Sequence, residues 1–410
     1  MMQNGAPSSN ADHTTTFNDL PAAMLVNIFT RLPVKTLIRS TSVCKTWYSN
    51  ITKPTFISAH IQHSLSCSNQ NAVLFVPNNI MRHKYCSLVS ADTGNVLEKY
   101  KIPFKTKNGS LQLCGCLNGL LCLNAIEEDP NVDVEYQDLY LWNPRVRKYR
   151  SLFSSCFKKR GFCLYALGMG VYEPTFDTRI VRIVYPADDG GYACRKVPPK
   201  AEIYSLKRNT WRRIKDPGVP LLGYHSGITV GNNMVYWLNT RMSRDFNEQA
   251  WLLSFDFNTE MFGSIKLPDE VRYCLGVKAN FNLLKFEGKL AVFVLNERKE
   301  TNGTISQPCG IWLMSHEEGK ISWNLIFKIV LKEHMWPLNV SRGGTLLQVS
   351  YASSNRSLFF CNLVSEDLQQ SKPLVTEPGG FVEAHFMESL LLLEGKDELL
   401  KSAVSCSGYF

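Results

Sequence analysis

SLVSADTGNVLEKYKIP (Ser87–Pro103), LYLWNPRVRKYRSLF (Leu139–Phe153), AEIYSLKRNTWRRIKDP (Ala201–Pro217), LLSFDFNTEMFGSIKLP (Leu252–Pro268), IWLMSHEEGKISWNLIFKI (Ile311–Ile329) and LFFCNLVSEDLQQSKPL (Leu358–Leu374) are six stretches of one chain with one plan. Each is a short strand, a polar turn and a second strand carrying an aromatic or aliphatic residue. With Asp92, Asn143, Ser205, Asp256, Ser315 and Asn362 as turn markers, the steps between copies are 51, 62, 51, 59 and 47 residues. Further strands lie between the copies, such as NGLLCL at Asn118, NMVYWLN at Asn233 and GKLAVFVLNE at Gly288.

A repeat of roughly 50 residues with about four strands is the size of a β-propeller blade. Six copies predict about six blades, with AVLFVP at Ala72 or FVEAHF at Phe381 able to complete the ring. An irregular pair of β-sandwiches is the alternative. A strict kelch propeller should repeat a glycine pair at one place per blade, and Gly190-Gly191, Gly343-Gly344 and Gly379-Gly380 do not do so.

Upstream of the repeats the period of the apolar residues changes from 2 to 3.6. Asn18 or Asp19 can cap a helix beginning near Leu20, with Pro21 tolerated in its first turn. Leu25, Ile28, Phe29 and Leu32 follow at i, i+3, i+4 and i+7, one apolar stripe. Pro33 stops that helix by disfavouring helical geometry in the residue before it. VKTLIRS from Val34 and VCKTWYSNI from Val43 supply two more short helices. Three such helices enclose too little surface to be stable alone, so their apolar residues must dock either on the rest of the chain or on a partner. Five basic residues (Arg31, Lys35, Arg39, Lys45, Lys53) against one acid (Asp19) would suit an acidic partner.

Composition narrows the remaining classes. The 410 residues are 44% hydrophobic and 20% charged, ordinary for a soluble globular chain. No signal peptide is evident in MMQNGAPSSNADHTTT, and apolar runs such as SLLLL at Ser389 are far too short to span a bilayer. Thirteen cysteines, an odd number with no CxxC, read as reduced thiols of the cytoplasm or nucleus. Cys114, Cys116 and Cys122 read as small buried strand residues rather than metal ligands.

The formal charge is +9, and it is unevenly spread. Arg145, Arg147, Lys148, Arg150, Lys158, Lys159 and Arg160 form an acid-free run, while Glu377, Glu383, Glu388, Glu394, Asp397 and Glu398 mark an acidic C-terminal segment. Such a bias either steers an anionic partner or lies on solvated edges and loops. From Arg195 to Lys215 eight basic residues surround Trp211, a pattern able to hold phosphates and a base. Trp211 also occupies the repeat's aromatic position, which predicts packing between blades instead.

The order and spacing of Leu20-Pro21, Ile28-Phe29, RLPVKTL (Arg31–Leu37) and VCKTW (Val43–Trp47) resemble the F-box, with Ala23 departing from a position that is often acidic. Behind it, CLNGLLCL, LYLWNPRVRKY, LGMGVYEPTFDTRIVRIVY, AEIYSLKRNTWRRI and SFDFNTEMFGSIKLP come in the order of the F-box-associated domain, very numerous in plants. Thr178-Arg179-Ile180 departs from that domain's usual aromatic-Lys-Val. The resemblance implies docking on the acidic Skp adaptor, which links an F-box protein to a cullin and a RING protein in a ubiquitin ligase. It places Leu20, Pro21, Leu25, Ile28, Leu32, Pro33, Val34, Leu37, Val43, Cys44 and Trp47 on positions that form or support that docking surface. Target-binding residues stay unassigned.

The expected fold is α+β overall: an N-terminal three-helix F-box followed by an all-β propeller-like domain of about six blades. The expected boundaries are a disordered N-terminus over 1–16, the F-box over 17–58, a linker over 59–70, the propeller over 71–395 and a C-terminal tail over 396–410. No catalytic constellation, cofactor or metal is predicted. None of the eight histidines forms HExxH, a ligand cluster or a partner for a GxSxG serine. GMG at Gly168–Gly170 lacks the rest of a dinucleotide loop and reads as a strand bend. The function expected is a substrate-recognition subunit of a Skp–cullin–F-box ligase. The alternatives are an adaptor-bound regulator that spares its target and a basic propeller that binds nucleic acid.

Overall fold

The computed structural model describes residues 20–67 and most of 72–393, leaving out 1–19, 68–71, 80–82, 91–94, 105–109, 128–135, 153–162, 187–197, 219–224, 240–250, 269–270, 272–278, 300–304, 332–334, 341–344, 351–354, 363–374, 394–410 and residues 78, 232, 297, 318, 379 and 385. The chain divides into two units, Met1–Ser68 and Asn69–Phe410.

The first unit holds four helices rather than three: α1 (Ala22–Thr30), α2 (Val34–Ser40), α3 (Lys45–Thr52) and α4 (Pro54–Cys67). The stretch from Ala59 to Gln70, where the sequence suggests a helical tail running into a polar linker, is helical up to Cys67. Pro54 occupies the first helical position, where its missing N–H costs nothing, and no glycine or second proline interrupts the run after it. Phe56, Ile57, His60 and Ile61 form its buried stripe.

The start and stop of α1 also differ from expectation. Pro21 itself holds the N-cap position with no side-chain cap, and Asn18 and Asp19 lie outside the described residues. α1 closes with short backbone bonds from Arg31 N to Ile28 O (3.1 Å) and Leu32 N to Phe29 O (3.0 Å). Pro33 comes after this turn and is the N-cap of α2.

The second unit is all β and builds six hydrogen-bonded sheets among the described residues. Sheet I orders Gly380–Ala384, Ala72–Pro77, Tyr85–Ser90 and Val96–Lys101; sheet II runs from Leu111–Leu117 through Leu120–Glu127 and Tyr136–Asn143 to Lys148–Ser151. Sheet III contains Cys163–Tyr172, Asp177–Pro186, Lys200–Ser205 and Thr210–Ile214, with His225–Ser226 added in parallel beside Cys163–Tyr172. Sheet IV holds Ile228–Val230, Met234–Asn239, Trp251–Asp256 and Met261–Lys266. Sheet V holds Ala279–Phe286, Lys289–Asn296, Ile305–Glu317 and Lys320–Leu331, with Arg298–Lys299 beside the third strand; sheet VI holds Met335–Val340, Thr345–Ser350, Asn355–Asn362 and Val375–Pro378.

The first strands of the sheets neighbour one another in a closed cycle. Gly380–Ala384 lies by Leu111–Leu117, which lies by Cys163–Tyr172; Ile228–Val230 follows, then Ala279–Phe286, then Met335–Val340, which returns to Gly380–Ala384. This is a propeller. The two segments expected as alternative ring closers pair with each other, Val73 opposite Ala384 and Val76 opposite Phe381.

Hydrophobic clusters fill the spaces between successive sheets. Leu74, Leu88, Leu121 and Trp142 pack between sheets I and II, and Leu141, Met169, Ile180 and Tyr204 between II and III. Tyr185, Trp237 and Phe255 pack between III and IV, Leu252 and Val292 between IV and V, and Phe293, Ile311 and Leu346 between V and VI. A strand in the middle of a sheet is therefore covered on both faces, which is why Ala72–Pro77 is buried throughout rather than alternating.

The expected bend at Gly168–Gly170 is instead a continuous strand. A Cβ at Gly168 would lie 2.7 Å from the Trp237 ring, and one at Gly170 would overlap the Phe257 ring. The glycines admit close approach of the next sheet.

The repeat has a physical basis in its turns. Asn143, Ser205 and Asp256 each end a strand, and each accepts through its carbonyl the N–H four residues on: Arg147 (2.9 Å), Asn209 (2.8 Å) and Glu260 (2.7 Å). Each marker's side-chain oxygen also accepts a backbone N–H two or three residues on, from Arg145 (3.0 Å), Arg208 (3.1 Å) and Asn258 (2.8 Å). The fourth turn residue is left-handed every time, with φ of 61° at Arg147, 53° at Asn209 and 57° at Glu260. The resulting register sets Trp142 opposite Tyr149, Tyr204 opposite Trp211 and Phe255 opposite Phe262. Aromatic cross-strand pairs stabilise such hairpins by about 0.2–1 kcal/mol each. Asp92 and the three glycine pairs, Gly380 apart, lie outside the described residues.

Candidate functional site

The helical unit separates the sequence-derived positions into three sets. Leu25, Val34 and Leu37 are buried and hold the helices together with Phe29 and Ile51. Leu20, Leu32, Cys44 and Trp47 are half-buried. Pro21, Ile28, Pro33 and Val43 are exposed, Ile28 by 38% and Val43 by 63%.

The half-buried set has identifiable structural work. Cys44 is the N-cap of α3, its Sγ accepting the Trp47 N–H at 3.5 Å. The Trp47 ring meets Phe29 edge-on, 4.9 Å between centroids, joining α3 to α1. Leu32 O accepts a hydrogen bond from His60 Nε2 at 3.0 Å, which ties α4 to the α1–α2 turn. Burial holds His60 below its ordinary imidazole range, against the raising effect of the Leu32 carbonyl and with a small lowering contribution from His63.

Three exposed apolar residues escaped the sequence reading: Met24 (57%), Tyr48 (51%) and, on α4, Leu65 (43%). Met24 is four residues before Ile28, so Pro21, Met24 and Ile28 line one side of α1 beside the buried Leu25–Phe29 stripe. That second i, i+3, i+7 row was legible in the sequence. Arg31, Lys35, Arg39, Lys45 and Lys53 are all exposed, and no acid occurs among the described residues of this unit. The surface is apolar and basic together.

In the propeller, three of the four described residues of the first basic run are engaged internally. Arg145 pairs with Glu98 and, at 3.0 Å, with Glu388, whose other oxygen accepts the Tyr100 hydroxyl at 3.1 Å. Lys148 Nζ donates to Leu393 O at 2.7 Å and Arg150 to Leu206 O at 2.9 Å. Glu388 belongs to the acidic C-terminal segment, so part of the charge asymmetry is a pairing within the chain. Lys158, Lys159, Arg160, Glu394, Asp397 and Glu398 lie outside the described residues.

The second basic run lacks the aromatic that a base would need. Trp211 is 9% exposed, packs between sheets II and III and lies under the Arg182 guanidinium, 4.3 Å away. Arg182 is itself buried and pairs with the fully buried Glu202. Lys207 donates to Thr175 O, and Arg212 joins Arg179 on Glu260.

Among the described strand cysteines, Cys86, Cys114, Cys122 and Cys309 are buried and Cys116 is half-buried. Cys114 and Cys122 neighbour each other in sheet II, and this contact together with burial pushes the Cys114 thiol up. Among the described residues, no three His, Cys, Asp or Glu side chains group as a metal site, and no helix is long and apolar enough to cross a membrane.

Comparison with known proteins agrees with this division. An F-box-like family matches residues 17–60, and the F-box associated beta propeller domain matches residues 80–373. The F-box protein CPR1 of Arabidopsis thaliana is 25% identical over 329 residues, covering 76% of this chain and 73% of that protein. The F-box/kelch-repeat protein At3g23880 of the same plant is 24% identical over 343 residues, covering 80% and 85%. This chain belongs to the F-box proteins that carry an F-box-associated β-propeller domain.

Proposed function

We propose that this protein is the substrate-recognition subunit of a Skp–cullin–F-box ubiquitin ligase. The helical unit docks on a Skp-type adaptor, and through it on the cullin and RING protein, while the propeller captures a target protein. The observation that carries this reading is the exposed row Pro21, Met24 and Ile28, with Val43, on a unit bearing five exposed basic residues and no described acid. An acidic, apolar partner surface complements both features.

In this reading Leu25, Val34 and Leu37 support the surface from inside, and Cys44 and Trp47 position it. The chain makes and breaks no bonds. Ubiquitin transfer is accelerated by tethering, which raises the effective concentration of target lysines near the conjugating enzyme. Each sheet of the ring is read as one blade, and turns at the ring's face present the variable side chains. The free thiols, Cys44 and Cys86 among them, suit a reducing compartment, the cytoplasm or nucleus.

The test is a pull-down of purified Skp adaptor by the wild-type chain and by a Pro21→Ala, Ile28→Ala, Val43→Ala variant. Retention by the wild type and loss by the folded variant is the expected result. Equal retention by both overturns the assignment of the surface, and no retention by the folded wild type overturns the function.

A further inference from the structure

Sheet V departs from the other five at its outer edge. The last strands of sheets I, II, III, IV and VI are 4–6 residues long, whereas Lys320–Leu331 has 12. Its partner Ile305–Glu317 is equally extended, so Met314–Glu317 pair with Lys320–Trp323 beyond the last register position of the inner strand. Among the described residues no strand pairs with the outer edge of Lys320–Leu331.

The exposed apolar side chains of this strand, Ile321, Leu325 and Val330, lie on one face, while the exposed Lys320, Ser322 and Asn324 lie on the other. Trp312 is opposite Leu325, Met314 opposite Trp323, His316 opposite Ile321 and Pro308 opposite Val330. Trp312, Met314 and Trp323 turn toward sheet IV, where the Trp323 indole donates to Lys266 O at 3.0 Å. The facing outer strand of sheet IV is only six residues long. It leaves Ile321, Leu325 and Val330 exposed by 42%, 46% and 49%. An extra residue, Ile326, bulges the strand between Leu325 and Phe327 and returns Lys328 and Val330 to that face.

An unpaired edge with apolar side chains is a template for another strand. Most sheets blunt such edges with short strands, and this one does not. Charge selects the occupant. Lys320 and Lys328 stand exposed on the strand with no acid among its twelve residues. The one acid of the adjoining strand, Glu317, lies opposite Lys320 at the strand's start, which leaves Lys328 on the apolar face without an acid opposite it. A second copy of this edge would bring lysine-bearing strands together.

We propose that the outer edge of Lys320–Leu331 is a docking site for an extended, acidic peptide segment, which adds to sheet V as a further strand. Its apolar side chains rest on Ile321, Leu325 and Val330, a carboxylate on that same face meets Lys328, and one on the opposite face meets Lys320. The proposal gives the target-capture role proposed above a location and a ligand chemistry.

The test uses the full chain and a fluorescein-labelled peptide EVTVTVTETV, whose second glutamate shares a strand face with its valines, read by anisotropy. Controls are KVTVTVTKTV and the acidic peptide N-methylated at alternate backbone nitrogens. Saturable binding of the acidic peptide is expected, weakened about tenfold or more by Leu325→Glu, by Lys328→Glu and by N-methylation, about 1.4 kcal/mol in each case. Lys328 is exposed, so its substitution leaves folding intact. No saturation up to about 1 mM, the weak end of peptide recognition, overturns the proposal, as does equal binding of the basic or methylated peptide. A concentration-dependent dimer abolished by Leu325→Glu would assign the edge to a second copy and equally overturn it. Adaptor pull-down with the same variants keeps the two readings apart: peptide binding without adaptor binding removes the ligase role alone, and the reverse removes this site alone.

Discussion

Ile28→Ala and Leu37→Ala remove aliphatic side chains from the same small helical unit and should act in opposite ways. Leu37 is fully buried, so its truncation leaves a cavity and destabilises the unit by about 2–5 kcal/mol. Ile28 is 38% exposed and should cost the free chain much less. Its effect falls on adaptor binding. Complete burial of an aliphatic side chain is worth about 1.5–3 kcal/mol, so covering the exposed part of Ile28, Val43 or Met24 supplies about 1 kcal/mol each. Substituting all three by alanine should weaken adaptor binding by about 3 kcal/mol, about 150-fold. Binding is measured by titration calorimetry with purified adaptor, and helical stability by urea unfolding. The reasoning is refuted if Ile28→Ala destabilises the free chain as strongly as Leu37→Ala, or if the triple variant binds the adaptor undiminished.

Other residues carry equally specific expectations. Because burial lowers the folded-state pKa of His60, the unfolded chain takes up a proton first as pH falls. Stability of the helical unit is therefore complete above the unfolded value, about 6.5, and declines below it; melting at pH 7.5 and 5 should show this slope in wild type and a smaller one in His60→Gln. Glu202→Ala strands the Arg182 charge in the core and should cost about 3–5 kcal/mol in urea unfolding, whereas removing both charges with Arg182→Met and Glu202→Leu should cost less. Asn143 Nδ2 donates to Ser389 O (3.0 Å) and Leu391 O (2.8 Å), so Asn143→Ala should lose about 1–3 kcal/mol. That variant should also expose the segment after Phe386 to limited proteolysis; unchanged cleavage would remove Asn143 from the role of anchor.

The propeller was legible because its repeat is local. Asn143, Ser205 and Asp256 each place a side-chain acceptor, a left-handed residue and an aromatic at the same offsets, and those offsets survive in a single sequence. Ring closure was legible only as a choice, since the pairing of Val73 with Ala384 joins residues more than 300 positions apart. The fourth helix was legible only as a helical tail running into the linker, because Ala59–Cys67 is rich in Ser, His and Gln and its stripe fades toward the C-terminal end. The docking surface was legible as a set of positions, whereas the partition into Leu37 inside and Val43 outside depends on how four short helices pack. Trp211 shows the limit of composition: eight neighbouring basic residues suggest an open patch, yet register puts the indole under Arg182.

The pairing of Gly380–Ala384 with Ala72–Pro77 has a consequence for synthesis. Between the two strands lie 302 residues, residues 78–379. At about 5–20 residues per second on the ribosome, the first strand waits about 15–60 s for its inner partner. Throughout that interval the inner edge of Ala72–Pro77 lacks its partner strand, although sheet II is already there to pack on its apolar side chains. A premature stop anywhere before Gly380 would yield an open arc with two sticky ends, a substrate for chaperones and proteases instead of a shortened receptor.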